Sequence, residues 1–308
     1  MSDVRAVEIG DHLYAIDAWM EGQPERLACY LFDTPERVLV EVGPSATLGH
    51  LIAALEELGV DDLAAFVVTH IHLDHAGGAG QMARRYPNAK VGVHTRGAKH
   101  LADPTRLWLS AVGVFGEQWL TTQWGPLEPV DTDRLMILDE ADTIPLGGGR
   151  ILDVMYTPGH AWHHIVFHDS ETGGMFVGDS LGLCYPHGHF VQAVTPPPGF
   201  EPHEQVRQIH RMAERGPSFL GFAHFGPEYD VDAKLAEAEH RLDAWVHFIE
   251  SIDGVDDDDA AVQLRRFTRD RYLSEGRASA DIEHYAATTN WVMQVEGIRR
   301  WLAARPTN

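Results

Sequence analysis

The stretch VVTHIHLDHAGG, residues 67–78, places three histidines and an aspartate within six positions, His70 to His75, directly behind an apolar run. The segment AAFVV (64–68) reads as a short buried strand. If the extended backbone continues beyond it, His70 and His72, two positions apart, point to the same side. Asp74 and His75 are adjacent and diverge, so they cannot both serve the point that the first pair faces. The following AGGAGQMARRY reads as a turn into a helix, with Asp74 near its N-terminus and Gly77 and Gly78 allowing close backbone approach. Two imidazoles aimed at one point and an Asp–His pair aimed beside it form a layout for two metal ions. The plainer reading is a capping aspartate among ordinary loop histidines. Four such groups at the mouth of one strand weigh against it.

The chain has 308 residues, enough for one large domain or one domain with a substantial appendage. Its 46 acidic and 24 basic residues give a formal net charge of −22. That balance lacks the basic footprint needed by a partner such as nucleic acid or an anionic membrane. The acidity itself reads as solubility, and the 19 histidines are the more informative excess. Two cysteines, Cys29 and Cys184, are too few for a disulfide framework. The opening MSDVRAVEIGDHLYAID lacks the basic-then-apolar order of a signal peptide. No apolar stretch has the length of a membrane span. A cytoplasmic location is therefore the default expectation.

Strands and helices alternate through the first third. LACYLF and RVLVEV read as neighbouring strands joined by DTPE, and GPSATLGHLIAALEELGV as a helix with apolar residues at Leu48, Leu51, Ile52, Leu55 and Leu58. AAFVV, a helix to Tyr86 and the strand AKVGVH complete an α/β series. Segment 106–124 holds Trp108, Phe115, Trp119 and Trp124, and reads as a helical lid over an apolar cleft or as a homodimer contact. Short strands punctuated by GGG and SETGG follow. EPHEQVRQIHRMAERG and DAKLAEAEHRLDAWVHFIESI read as helices. The remainder reads as two more, the second running through DIEHYAATTNWVMQVEGIRRWLAA. The expected organisation is a catalytic domain over 1–230, with the aromatic insertion at about 104–126, and a C-terminal helical extension over 231–308.

Three later strand ends offer further donors: His160 in TPGH, Asp179 in MFVGDS and His224 in FLGFAHFG. Open sheets place active-site loops at such ends. In order, spacing and strand-end placement, THIHLDH, TPGHAWHH, VGDS and AHFG resemble the metallo-β-lactamase superfamily over roughly residues 4–230. The resemblance implies an αββα sandwich, two mixed sheets flanked by helices, with metals at one edge. It implies that His70, His72 and His160 hold a first metal, that Asp74, His75 and His224 hold a second, and that Asp179 bridges them. VEVGPS stands where the family usually has an aspartate-containing turn, which gives Glu41 a supporting place. An aspartate at 179 weighs against β-lactam hydrolysis as the native role. His163 and His164 are read as supporting or structural, and His94 and His100 as structural.

Two divalent ions ~3.5–4 Å apart can carry a bridging hydroxide that attacks a polarised ester-type bond, so no serine or cysteine nucleophile is required. Asp74 is placed to orient that hydroxide or relay its proton. Histidine-rich N/O ligation fits Zn2+, and also Mn2+ or Fe. Tyr185 and His187, close behind Asp179, are candidates for stabilising an oxyanion or protonating a leaving group. The expected activity is dinuclear metal-dependent hydrolysis of a lactone, thioester, carboxylic ester or phosphoester of a small apolar substrate. The alternative implied by the same superfamily is a mononuclear-iron oxidoreductase resembling persulfide dioxygenases, using His70, His160 and Asp179.

Overall fold

In a computed structural model, which describes residues 6–305, short apolar strands assemble into two facing sheets. The first contains β1 (Ala6–Gly10), β2 (Leu13–Asp17), β3 (Ala28–Phe32), β4 (Val38–Val40), β5 (Ala65–Val67), β6 (Lys90–His94) and β7 (Leu135–Leu138), side by side in chain order. β1 to β4 meander antiparallel. From β4 onward the strands run parallel, because helical crossovers return the chain each time. These crossovers are α1 (Leu48–Glu57), the pair α2 (Leu73–Ala76) and α3 (Ala79–Arg85), and α4 (Thr95–Ala102) continued by α5 (Thr105–Phe115) and α6 (Glu117–Gln123).

The second sheet holds β8 (Thr143–Gly147), β9 (Arg150–Tyr156), β10 (Ile165–Asp169), β11 (Gly174–Gly178), β12 (Phe219–Phe222) and β13 (Pro227–Glu228), in spatial order β13-β12-β11-β10-β9-β8. Only β11 and β12 pair in parallel, and α7 (Pro202–Arg215) lies in their connection. Strand β3 shows why two layers form. Alternate residues face opposite sides: Tyr30 and Phe32 meet Phe167 and Phe176 between the sheets, while Cys29 and Leu31 join Leu51 and Met82 beneath α1 and α3. On the far side, Ile209 and Met212 of α7 cover Val166, Val177 and Leu220. The result is the expected αββα sandwich of two mixed sheets.

Beyond it stand α8 (Val231–Ser251), α9 (Asp257–Ser274), α10 (Ser279–Thr288) and α11 (Trp291–Ala304), the last packed on α8 and α9 through Trp245, Leu264 and Ile298. Two expectations change here. The single helix expected through 281–304 is broken at Thr289 and Asn290, where the Asn290 side chain accepts from Met293 N at 3.1 Å and starts α11 afresh. The hairpin of β1 and β2 was not expected at all. The aromatic segment is helical as expected, and turns between α5 and α6 at Gly116, whose φ of 81° suits glycine. Among the described residues, no helix is long and apolar enough to cross a membrane.

Candidate metal centre

Strand β5 ends at Val67, the chain bends at Thr69, and His72 is again extended, with φ and ψ of −61° and 151°. The one-turn helix α2 then swings Asp74 and His75 away from the line of His70 and His72. The loops after β9, β11 and β12 deliver His160, Asp179 and His224 to the same edge. His70, His75, His160, Asp179 and His224 are buried. Gly178, at φ 50°, precedes Asp179, and a Cβ there would collide with Thr69 Oγ1 and His164 Nε2.

The donors fall into two adjoining groups, His70–His72–His160–Asp179 and Asp74–His75–His224, with ligand atoms in each within 4.8 Å of one another. His72 Nδ1 lies 2.9 Å from His70 Nε2 and 3.1 Å from His160 Nε2. Asp179 faces both groups: Oδ2 is 3.6 Å from His160 Nε2, and Oδ1 is 3.3 Å from His75 Nε2 and 3.7 Å from His224 Nε2. Asp74 Oδ2 is 3.5 Å from His224 Nε2 and 3.8 Å from His75 Nε2.

Supporting hydrogen bonds fix which nitrogen faces inward. The Thr69 hydroxyl donates its one proton to Glu41 Oε1, so at 3.0 Å it must accept from His70 Nδ1. His70 Nε2 therefore presents its lone pair to the centre. His224 Nδ1 donates to the Arg26 carbonyl at 2.7 Å, which turns its Nε2 inward in the same way. Asp179 N donates to His164 Nε2 at 3.2 Å, leaving His164 Nδ1 to Thr157 and Ser180. His164 thus braces the Asp179 loop. His163 accepts from Ile71 N at 3.5 Å and braces the first pair.

Other buried atoms are left over. Both ring nitrogens of His75, Nδ1 of His160 and Oδ1 of Asp179 make no hydrogen bond. Native interiors rarely tolerate such a concentration of unmade bonds. The set of imidazoles and carboxylates without thiolates is chemically suited to a divalent cation. Electrostatics agree. Burial disfavours charge on His75, yet Asp179, Glu41 and Asp74 hold its pKa well above the usual value. Burial likewise opposes the ionisation of Asp74, but His75 and His224 bring it down to about 2. Desolvation, reinforced by neighbouring imidazoles, keeps His70 neutral, and burial drops His160 to about 3. The site thus sets ionised carboxylates around His75 beside the neutral imidazoles of His70 and His160.

A cleft of about 650 Å³ opens over this edge. Leu107, Phe115, Trp119 and Trp124 of the aromatic segment line it, as do Thr288, Asn290 and Met293 at the break between α10 and α11. Tyr185 is buried and lines the cleft, and desolvation raises its pKa. His187 is exposed, is not among the lining residues, and stacks on His284 with ring centroids 4.3 Å apart. His94 is buried against Tyr156 and caps α4. His100, expected to be structural, lines the cleft. Cys184 is outside the lining, and burial together with Glu228 pushes its thiol pKa up. Sequence reasoning did not single out Arg26, Glu21 or the Thr288–Asn290 step, all of which line the cleft. The TTN run at 288–290, a helix stop followed by an N-cap residue, was the available signal for the last of these.

A family model described as the metallo-beta-lactamase superfamily matches residues 25–227. The metallo-beta-lactamase fold-containing protein ST1585 of Sulfurisphaera tokodaii is 33% identical over 171 residues, 54% of this chain and 62% of that protein. The crystal structure of ST1585 from Sulfolobus tokodaii superposes with a TM-score of 0.67 at 26% identity, covering 94% of this chain and 99% of the other. A hydroxyacylglutathione hydrolase of Synechococcus sp. is 30% identical over 156 residues, 49% of this chain and 48% of that protein. The human acyl-coenzyme A thioesterase MBLAC2 is 36% identical over 120 residues, 37% of this chain and 39% of that protein. The chain thus spans less than two thirds of the length of each of these curated relatives.

Proposed function

The chain belongs to the metallo-beta-lactamase superfamily, and on that premise we propose that it is a dinuclear-metal-dependent hydrolase of carboxylic ester or thioester bonds in a small molecule. The observation that carries this reading is the convergence of seven donors in which His75, His160 and Asp179 retain buried atoms without hydrogen-bond partners. His70, His72 and His160 would hold one divalent ion and Asp74, His75 and His224 the other, with one Asp179 oxygen toward each group. When bound, such ions polarise a carbonyl oxygen and bring the acidity of water toward neutrality.

The chain's own residues do the rest. Asp74, kept ionised, accepts a proton from the attacking water and passes it to the departing oxygen or sulfur. Water oxygen bonds to the carbonyl carbon, the ester or thioester bond breaks, and an acid and an alcohol or thiol leave. Tyr185, kept protonated by burial, supplies a hydrogen-bond donor within the cleft for the carbonyl or leaving group. The aromatic lid excludes water and takes the apolar part of the substrate. The names of two relatives, a hydroxyacylglutathione hydrolase and an acyl-coenzyme A thioesterase, support acyl transfer to water over phosphoester cleavage.

The test is metal stoichiometry on untagged protein, followed by a panel of esters, lactones, thioesters and phosphoesters. The reading expects two equivalents of zinc or manganese per chain, and ester or thioester cleavage that chelation abolishes and metal restores. A single equivalent of iron with persulfide-dependent oxygen uptake would overturn it in favour of the dioxygenase.

A further inference from the structure

Arg26 lies on the loop between β2 and β3, and its backbone oxygen is the acceptor that orients His224. Its position beside the centre is therefore fixed from the main chain, and its side chain lines the cleft. The side chain is 12% exposed. Nη2 lies 3.2 Å from Glu21 Oε2, while Nε is buried without a hydrogen-bond partner. Arg150 shows what a satisfied buried guanidinium looks like in this molecule. Its Nε and Nη2 meet Asp169 at 2.8 and 2.6 Å, and its Nη1 meets the Asp11 carbonyl at 2.7 Å. Glu21 does not complete Arg26, because its other oxygen accepts from Trp124 Nε1 of the lid at 3.2 Å. An arginine of the cleft lining, tethered by one ion pair, keeps guanidinium donors for an external acceptor.

We propose that Arg26 is the specificity-determining residue of the cleft and binds a carboxylate carried by the substrate, close to the bond that is hydrolysed. This rests on the hydrolase reading and narrows its substrate class to esters or thioesters bearing a free carboxylate, with the apolar remainder under the lid. A carboxylate matches the planar fork of a guanidinium and brings the single negative charge that one partly paired arginine can balance. A phosphate dianion would set its second charge against Glu21, Asp74 and Asp179, which also line the cleft. Glu21 then has a defined part: it holds the guanidinium in the wall and connects it to Trp124.

The experiment uses the metal-loaded full chain and two chromogenic esters of equal shape, 4-nitrophenyl hydrogen succinate and its methyl ester. The proposal expects wild type to prefer the acid. In Arg26→Gln, kcat/KM for the acid should fall by about 10–100-fold relative to the methyl ester, with the loss in KM because the pairing is made in the ground state as well. Arg26→Lys, which restores charge but not the fork, should recover part of the preference. An acid-to-ester ratio that is the same in wild type and Arg26→Gln, with both retaining the wild-type metal content, would overturn the proposal. If wild type cleaves neither ester, the failure belongs to the hydrolase reading. Calorimetric titration with succinate then decides about Arg26: binding weakened about tenfold or more by Arg26→Gln supports its role, and equal binding overturns it.

Discussion

Two buried charged clusters in this molecule obey different rules. At the end of β10, Asp169 accepts from Arg150 Nε and Nη2, from the backbone amides of Glu171 and Thr172, and from the Thr172 hydroxyl. Past the end of β11, Asp179 is equally buried, yet Oδ1 has no hydrogen-bond partner and its neighbours His75 and His160 also hold unpartnered nitrogens. Burying a carboxylate without compensation is unfavourable, so the first cluster is complete as a piece of architecture. The second is complete only with something added. The contrast separates a polar group that serves the fold from one that serves chemistry, and it does so without reference to any relative.

The largest expected effect comes from breaking the second cluster. Asp179→Asn should reduce bound metal below two equivalents per chain and bring hydrolysis to background, as read by metal analysis and an ester assay. The first cluster should respond in the opposite sense. Arg150→Met should leave metal content unchanged and lower unfolding free energy by about 3–5 kcal/mol in denaturant titration, because Asp169 stays buried without its partner. Burial by itself would raise the pKa of Asp169, but the hydrogen bonds from Arg150 and Thr172 hold it below the ordinary value. Its stabilisation is therefore present above the unfolded value of roughly 3.9 and is lost as pH falls through the lower folded value. The gap between wild type and Arg150→Met should be full at neutral pH and shrink in acid. The smallest effect is expected at His187, exposed and outside the cleft lining. His187→Ala should change stability by no more than about 0.5 kcal/mol and leave kcat/KM at the wild-type level.

The donor constellation was legible because local rules produce it. Four of its members fall within six residues at a strand end, and the other three each follow an apolar run that reads as a strand. Helices α1, α7 and α8 were legible for the same reason, each carrying its own periodicity. What escaped were features that only tertiary contacts decide. The strands AVEIG and LYAID are short, and pairing with each other and of the second with β3 selects their conformation. The break at Thr289 lies in a run that local propensity would continue as helix, and it is held by the Asn290 cap and by Trp291 Nε1 bonding to Ala286 O at 3.0 Å. Arg26 and Glu21 sit on an irregular loop, where no period points a side chain anywhere. Tyr185 and His187 are two residues apart in one loop, and nothing in LGLCYPHGHF says that the first faces the cleft and the second faces solvent.

The wall formed where α10 gives way to α11 has a consequence for how such a molecule can change. Every member of the donor set lies at or before His224, whereas that wall is built by residues beyond Ala286. Reactivity and one part of selectivity are therefore written in separate stretches of the chain. Recombination or drift confined to the segment beyond Ala286 can alter which compounds are admitted while the reactive centre is inherited intact.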